Sequence, residues 1–215
     1  MKRTTRCFLV WLAVLMAACQ SGCNNTPEKS PMEQKAATYL DNMEASAISL
    51  EHALQKVSSA KVTNTAKRMR ETVALIKSGQ ESLETADRDV RAYVTFVNRN
   101  RGALVAEGLG HYVKVKEILD RPLTDKRRAI ASYFSDMERW LSYSADHFAK
   151  LNAGDARVRR SYDRLLIEVN RSQQKYNFAS DQYQRHLNSV AAQHPDLKKK
   201  FKRRYKTMKK ELGWL

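Results

Sequence analysis

Cysteine and histidine are the side chains that most often bind transition metals, and histidine is the most frequent general base. The three cysteines, Cys7, Cys19 and Cys23, all lie within the first 23 residues. No two histidines are three or four residues apart, the spacings that place both side chains on one helix face. Helical di-iron sites need Glu-x-x-His motifs, and the sequence contains none. The five histidines are His52, His111, His147, His186 and His194.

Other catalytic constellations are also missing from the sequence. It has no G-x-S-x-G, P-loop or dinucleotide-binding motif. Glu107 and His111 are four residues apart, but Gly108 and Gly110 disfavour a regular helix there. Asp87 interrupts an apolar seam, and we expect it at a solvent-facing edge rather than in a buried pair. We therefore predict no catalytic residue, metal site or cofactor, and a protein that is not an enzyme. Aromatic residues at helical spacing are expected to be ordinary core rather than the lining of a ligand cavity: Phe134, Phe148, Tyr162, Tyr176 and Tyr183.

The position of the cysteines suggests covalent attachment of lipid. Residues 1–6 carry three basic side chains, and residues 8–18 form an unbroken apolar run. A helix that spans a bilayer needs roughly 20 apolar residues, so this run has the length of a signal-peptide core instead. The run leads through Leu15, Met16 and two alanines directly into Cys19.

This segment resembles the lipobox of bacterial lipoproteins, in which small residues precede a lipid-modified cysteine. The resemblance implies a diacylglycerol on the Cys19 thiol, removal of residues 1–18, and acylation of the new amino group. Met16 departs from the leucine usual at its position. Cys23 is the alternative lipidation site, although polar residues separate it from the apolar run. In lipoproteins sorted as in enterobacteria, Asp directly after the lipidated cysteine retains the protein in the inner membrane. This sequence has Gln20 there, which resembles the pattern of outer-membrane lipoproteins. Two or three acyl chains anchor a protein stably.

The sequence after the cysteines favours long helices. Only 7 glycines and 4 prolines occur in 215 residues. Ser30, Pro31 and Glu33 form a helix start with a capping box. Apolar residues then alternate in steps of four and three, which is a heptad seam for packing helix against helix. This first seam consists of Ala36, Leu40, Met43, Ala47, Leu50, Leu54 and Val57.

The positions at which the helices begin and end can also be predicted. The heptad phase slips within residues 58–65, and we favour a turn there, with Thr63 or Asn64 as the next cap, over a stutter in one long helix. Gly102 is expected to end the second helix in a left-handed cap. Thr124 is expected to cap the third long helix.

Together these patterns predict an all-α fold: an antiparallel helical bundle of four long amphipathic, coiled-coil-like helices and a basic C-terminal helix. The long helices should alternate short, long, short, long. A short helix is expected near residues 111–120, and a turn at 152–155. The predicted organisation is as follows: 1–18 signal peptide, 19–30 lipidated tether, 31–193 helical bundle, and 194–215 basic amphipathic helix.

The C-terminal segment is strongly basic. Residues 196–215 contain nine Lys or Arg against Asp196 and Glu211, a net charge of +7 within a chain of +16. Apolar residues recur there every three or four positions. This pattern suits an anionic interface, with packing of the apolar stripe on the bundle as the alternative. The residues expected to contact an anionic surface are Lys198, Lys199, Lys200, Lys202, Arg203, Arg204, Lys206, Lys209, Lys210 and Trp214.

The anchor and the charge together predict a noncatalytic lipoprotein of the bacterial cell envelope, with a helical binding or scaffolding module in the periplasm, at the outer membrane. Its expected partners are the membrane, reached through the N-terminal lipid, and anionic lipid, lipopolysaccharide, a wall polymer, a protein or a second copy. Nucleic acid is not expected, although the isoelectric point is near 9.9, because an exported, anchored protein rarely meets it. A ligand- or metal-binding bundle, or an enzyme, is the alternative.

Overall fold

The structure is a computed structural model that describes residues 29–60, 65–118 and 121–193. Within these ranges the protein is an all-α helical bundle without strands, as predicted. The four long helices have 29, 41, 26 and 38 residues, which is the predicted alternation of lengths. The helices are α1 (Pro31–Ser59), α2 (Ala66–Ala106), α3 (Gly110–Ile118), α4 (Arg121–Asp146), α5 (Phe148–Asn152) and α6 (Ala156–Gln193).

Neighbouring long helices are antiparallel, because contacting residue numbers rise along one helix and fall along the next. Between α1 and α2 the pairs are Ser30 with Glu107 and Tyr39 with Phe96. Between α2 and α4 they are Arg70 with Asp146, Gln80 with Glu138, and Asp87 with Arg127. Between α4 and α6 they are Tyr143 with Val158, Trp140 with Tyr162, and Tyr133 with Tyr176. The chain therefore runs up and down along the bundle.

One hydrophobic core joins the long helices and α3. All seven residues of the predicted α1 seam are buried in it. On α2 the seam is looser, because Val73 and Val94 are only partly buried against the core. The buried seam residues of α2 are Met69, Ile76, Leu83, Val90 and Val97. Heptad spacing thus identified the faces that pack together.

The start of α1 and the break after it follow the prediction. Ser30 Oγ accepts a hydrogen bond from the Glu33 N–H at 3.1 Å. Helix α1 ends at Ser59, and α2 begins after the N-cap Thr65, whose hydroxyl accepts from the Arg68 N–H. The slip in heptad phase therefore marks a turn. The predicted caps Thr63 and Asn64 lie outside the described residues, and the cap in the structure is Thr65.

The predicted end of α2 at Gly102 is wrong. The helix continues to Ala106, because the fully buried Leu104 anchors one more turn in the core. The left-handed residue is instead Gly108, with φ 74°, a conformation that glycine adopts without steric cost. It turns the chain into α3, which is short, as predicted.

The predicted bounds of the third long helix also need correction. Helix α4 begins at Arg121, so Thr124 lies in its first turn and is not the cap. Pro122 is tolerated there because the first N–H groups of a helix have no partner within it. The helix ends at Asp146, and the short helix α5 follows it. The predicted turn at 152–155 is present, with Gly154 at φ 77°.

Candidate functional site

The site residues predicted from the sequence fall outside the structure. Cys19 and Cys23 precede the described residues, and the basic residues from Lys198 to Lys210 and Trp214 follow them. Lipid attachment and anionic-surface binding therefore stay predictions. The structure does show which end of the bundle each of these segments adjoins.

A buried arginine is the clearest polar feature of the bundle. Lys126 and Arg127 on α4 are 3% and 9% exposed. Arg127 Nη1 lies 2.8 Å from Asp87 Oδ1 on α2, and the Asp87 side chain is 32% exposed. Burial lowers the pKa of Arg127, and the Asp87 carboxylate opposes this change. A guanidinium stays charged even so, which makes the contact an ion pair. Asp87 is partly exposed, as expected of an edge position, and it also pairs with the buried Arg127, which the sequence did not predict.

Tyr183 on α6 completes a layer of polar side chains around this ion pair. Its ring is buried, and Lys126 Nζ lies 5.2 Å from the ring centroid. Burial raises the pKa of Tyr183 far above its ordinary value, and the charge of Arg127 acts in the opposite direction. Tyr183 is therefore neutral at physiological pH. We call Asp87, Lys126, Arg127 and Tyr183 the polar layer; it joins α2, α4 and α6.

Buried acidic side chains of α1 form a second polar feature. Burial raises the pKa of Tyr176 on α6, a hydrogen bond with Ser180 opposes this rise, and the negative charge of Glu51 on α1 adds to it. Glu51 is 5% exposed, and Glu44, two turns earlier on the same helix, is 6% exposed. Two acidic side chains of α1 thus lie inside the bundle. Sequence reasoning missed them because both lie beside the apolar seam, not on it.

Within the polar layer, Arg127 and Lys126 are cations, and Tyr183 stays protonated because burial raises its pKa. Of the predicted aromatic core, Phe134 and Tyr183 are buried. Tyr176 and Phe148 pack against the core, and Tyr162 lies at its edge with its ring 5.7 Å from that of Trp140.

A polar groove of about 590 Å³ runs between α4 and α6 and opens to solvent. Arg139 in its wall forms ion pairs with Asp136 at 3.5 Å and Glu168 at 3.2 Å. Arg171 and Lys175 also line the groove. The groove is open and lined by charged side chains, whereas ligand pockets are typically enclosed and mostly apolar.

In the part of the chain that the structure describes, no group of three or more His, Cys, Asp or Glu side chains could hold a metal ion. None of the helices described has the combination of length and apolar composition needed to cross a bilayer.

Comparison of the chain with protein-family models, with curated proteins and with solved structures gave no match in any of the three.

Proposed function

We propose that this protein is a lipid-anchored, noncatalytic component of the bacterial cell envelope whose helical bundle is a binding or scaffolding module. One observation carries the proposal. The lipobox-like segment ends at Cys19, and Ser30, eleven residues later, is the N-cap of α1. A lipid on Cys19 would thus be joined by a short tether to one end of a bundle.

The proposed binding surface is cationic. Residues 196–215 carry a net charge of +7, and they follow α6 directly. The expected partners are anionic: lipid headgroups, lipopolysaccharide, a wall polymer or an acidic protein. The absence of Asp at Gln20 supports attachment to the outer membrane, with the bundle in the periplasm.

Metabolic labelling with a fatty acid tests the anchor. The wild-type chain is expected to incorporate label, and Cys19→Ala to lose it while Cys23→Ala retains it. Retention in Cys19→Ala with loss in Cys23→Ala would move the anchor to Cys23. A wild-type chain that takes up no label would refute lipid attachment altogether.

Binding to anionic vesicles tests the cationic segment. We expect neutralisation of the basic residues at 198–210 to Gln to weaken binding by at least tenfold, because each basic residue near an anionic surface contributes on the order of 1 kcal/mol. Binding of the wild type should fall as salt is added. Cosedimentation with vesicles that contain phosphatidylglycerol measures both. Equal binding by the two proteins would show that this segment is not the contact.

A further inference from the structure

The chain enters the bundle at the end formed by α1, α2 and α3. Ser30 Oγ donates a hydrogen bond to the Glu107 carboxylate at 2.6 Å, which joins the start of α1 to the end of α2. Helix α3 folds back on α2, and Tyr93 Oη donates to the Tyr112 carbonyl at 2.6 Å. We call this end the N-terminal pole and the other end, at Thr65, the distal pole.

The described chain also leaves the bundle toward the N-terminal pole. Arg127 pairs with Asp87, and its neighbour Lys126 lies over Tyr183, so Tyr183 is level with Asp87 along the bundle. From Tyr183 to the end of α6 at Gln193 the helix advances about 15 Å toward the N-terminal pole. The described chain therefore ends at Gln193 in the same half of the bundle in which it begins at Ser30, and the segment with a +7 charge follows Gln193 in the sequence.

Three basic side chains and one apolar side chain are exposed at the N-terminal pole, together with the acidic Glu107. Arg99, Arg101 and Lys114 are exposed, and Val105 is 58% exposed. Basic groups meet anionic headgroups while an apolar side chain enters the interface, which is the combination that peripheral membrane surfaces use.

We propose that the N-terminal pole docks on anionic phospholipid headgroups of the membrane that holds the lipid anchor, so that the bundle stands on end. This inference rests on the proposed lipid attachment at Cys19 and adds an orientation and a contact surface to it.

Tether length distinguishes the two poles. Helix α2 has 41 residues and is about 62 Å long. The eleven residues from Cys19 to Ser30 span at most about 40 Å when fully extended. If the distal pole touched the membrane, the N-terminal pole would lie about 62 Å above it, farther than the tether can extend. The tether therefore excludes docking through the distal pole with the bundle upright. Charge alone does not show which pole docks on the membrane, because Arg157 and Arg160 are exposed near the distal pole.

An environment-sensitive fluorophore on the intact, lipidated protein tests the orientation. In a Cys23→Ser background, the dye is attached at Val105→Cys or, for the distal pole, at Asn152→Cys. The protein is reconstituted into vesicles of phosphatidylethanolamine and phosphatidylglycerol, or of phosphatidylcholine alone. We expect a blue shift at position 105 only, on the anionic vesicles only, and its reversal by high salt.

Matched charge variants give a second readout. Arg99→Gln with Arg101→Gln should lower the ratio of docked to undocked protein by roughly 30-fold, since each basic residue near an anionic surface contributes about a factor of five. Arg157→Gln with Arg160→Gln removes the same charge at the distal pole and should leave the ratio unchanged. Equal effects of the two variants would refute docking through one pole.

The remaining outcomes are distinct. Blue shifts of equal size at positions 105 and 152 would show that the bundle lies flat, and no shift at either would show that it is held away from the lipid. Both refute the docking proposal and leave the anchor intact. Loss of the anchor is seen separately, because a protein without acyl chains does not float with phosphatidylcholine vesicles.

Discussion

At Gly79 of α2 a side chain of the neighbouring helix α4 lies close to the backbone. A Cβ atom at this position would lie 2.9 Å from two ring atoms of Phe134 on α4, and Phe134 is completely buried. In the sequence Gly79 is only a weak helix former between apolar positions. Its structural role is to leave room for the Phe134 ring of α4, which a side chain at this position would contact.

We expect Gly79→Ala to lower the free energy of unfolding by about 1–2 kcal/mol, because overpacking a filled core costs more than the gain in helix propensity returns. Gly102→Ala is the control in the same helix. Nothing lies within 4 Å of a Cβ there, so this variant should gain about 0.5–1 kcal/mol. Urea unfolding followed by circular dichroism measures both. A stabilised Gly79→Ala would mean that Phe134 can move aside.

The ion pair of the polar layer should respond unequally to removal of its two members. Asp87→Ala leaves the Arg127 cation buried without its anion, and we expect a loss of about 2 kcal/mol. Arg127→Met leaves Asp87, which is 32% exposed and can be hydrated, so the loss should be about 1 kcal/mol or less. Urea unfolding of both variants gives the order. The reverse order would contradict the burial described for Arg127.

Among the elements, α6 begins at a well-formed N-cap. The Asp155 carboxylate accepts hydrogen bonds from the Arg157 and Val158 N–H groups at 2.9 and 3.0 Å. The bond from Val158 is the main reason that the pKa of Asp155 is below its ordinary value. The folded state therefore favours the ionised form, as expected for an anion at a helix N-terminus.

We expect Asp155→Ala to lower the melting temperature at pH 7 by about 2–4 °C. The lowered pKa means that this stabilisation is present above the ordinary carboxyl pKa near 4 and is lost as the pH falls through the native value. The difference from wild type should therefore shrink at pH 2.5. Asp146→Ala, which removes only an exposed ion pair with Arg70, should change little at pH 7. A difference that does not depend on pH would contradict the cap.

Heptad spacing predicted which face of a helix is buried in this protein. It did not predict which side chains meet between helices. The α1 seam is buried at every predicted position, because a repeat of 3.5 residues keeps one face toward its partners. Arg127 is buried for another reason: it pairs with Asp87 on α2, and its neighbour Lys126 lies over Tyr183 on α6. The break near Gly102 was misplaced because a local glycine signal was outweighed by the burial of Leu104.

At the scale of the whole molecule, one core should give one unfolding transition. Leu50 on α1 and Leu187 on α6 are fully buried in the same cluster. We expect Leu50→Ala and Leu187→Ala each to cost about 2–5 kcal/mol and to shift a single urea transition seen by circular dichroism. Ile167→Ala, at a half-exposed position of α6, should shift it much less. Two separate transitions would show that the α1–α2 and α4–α6 pairs unfold independently.

The pairing of Arg127 with Asp87 has a further consequence for the alignment of the helices. Because heptads repeat, α4 could slide along α2 by seven residues and still match apolar side chains with apolar side chains. Seven residues from Asp87 stand Gln80 and Val94, and neither carries a negative charge. The buried Arg127 cation therefore favours the alignment that places it beside Asp87 over the alignments shifted by seven residues. By selecting that alignment, a single charged contact near the middle of the bundle sets the register of α4 against α2.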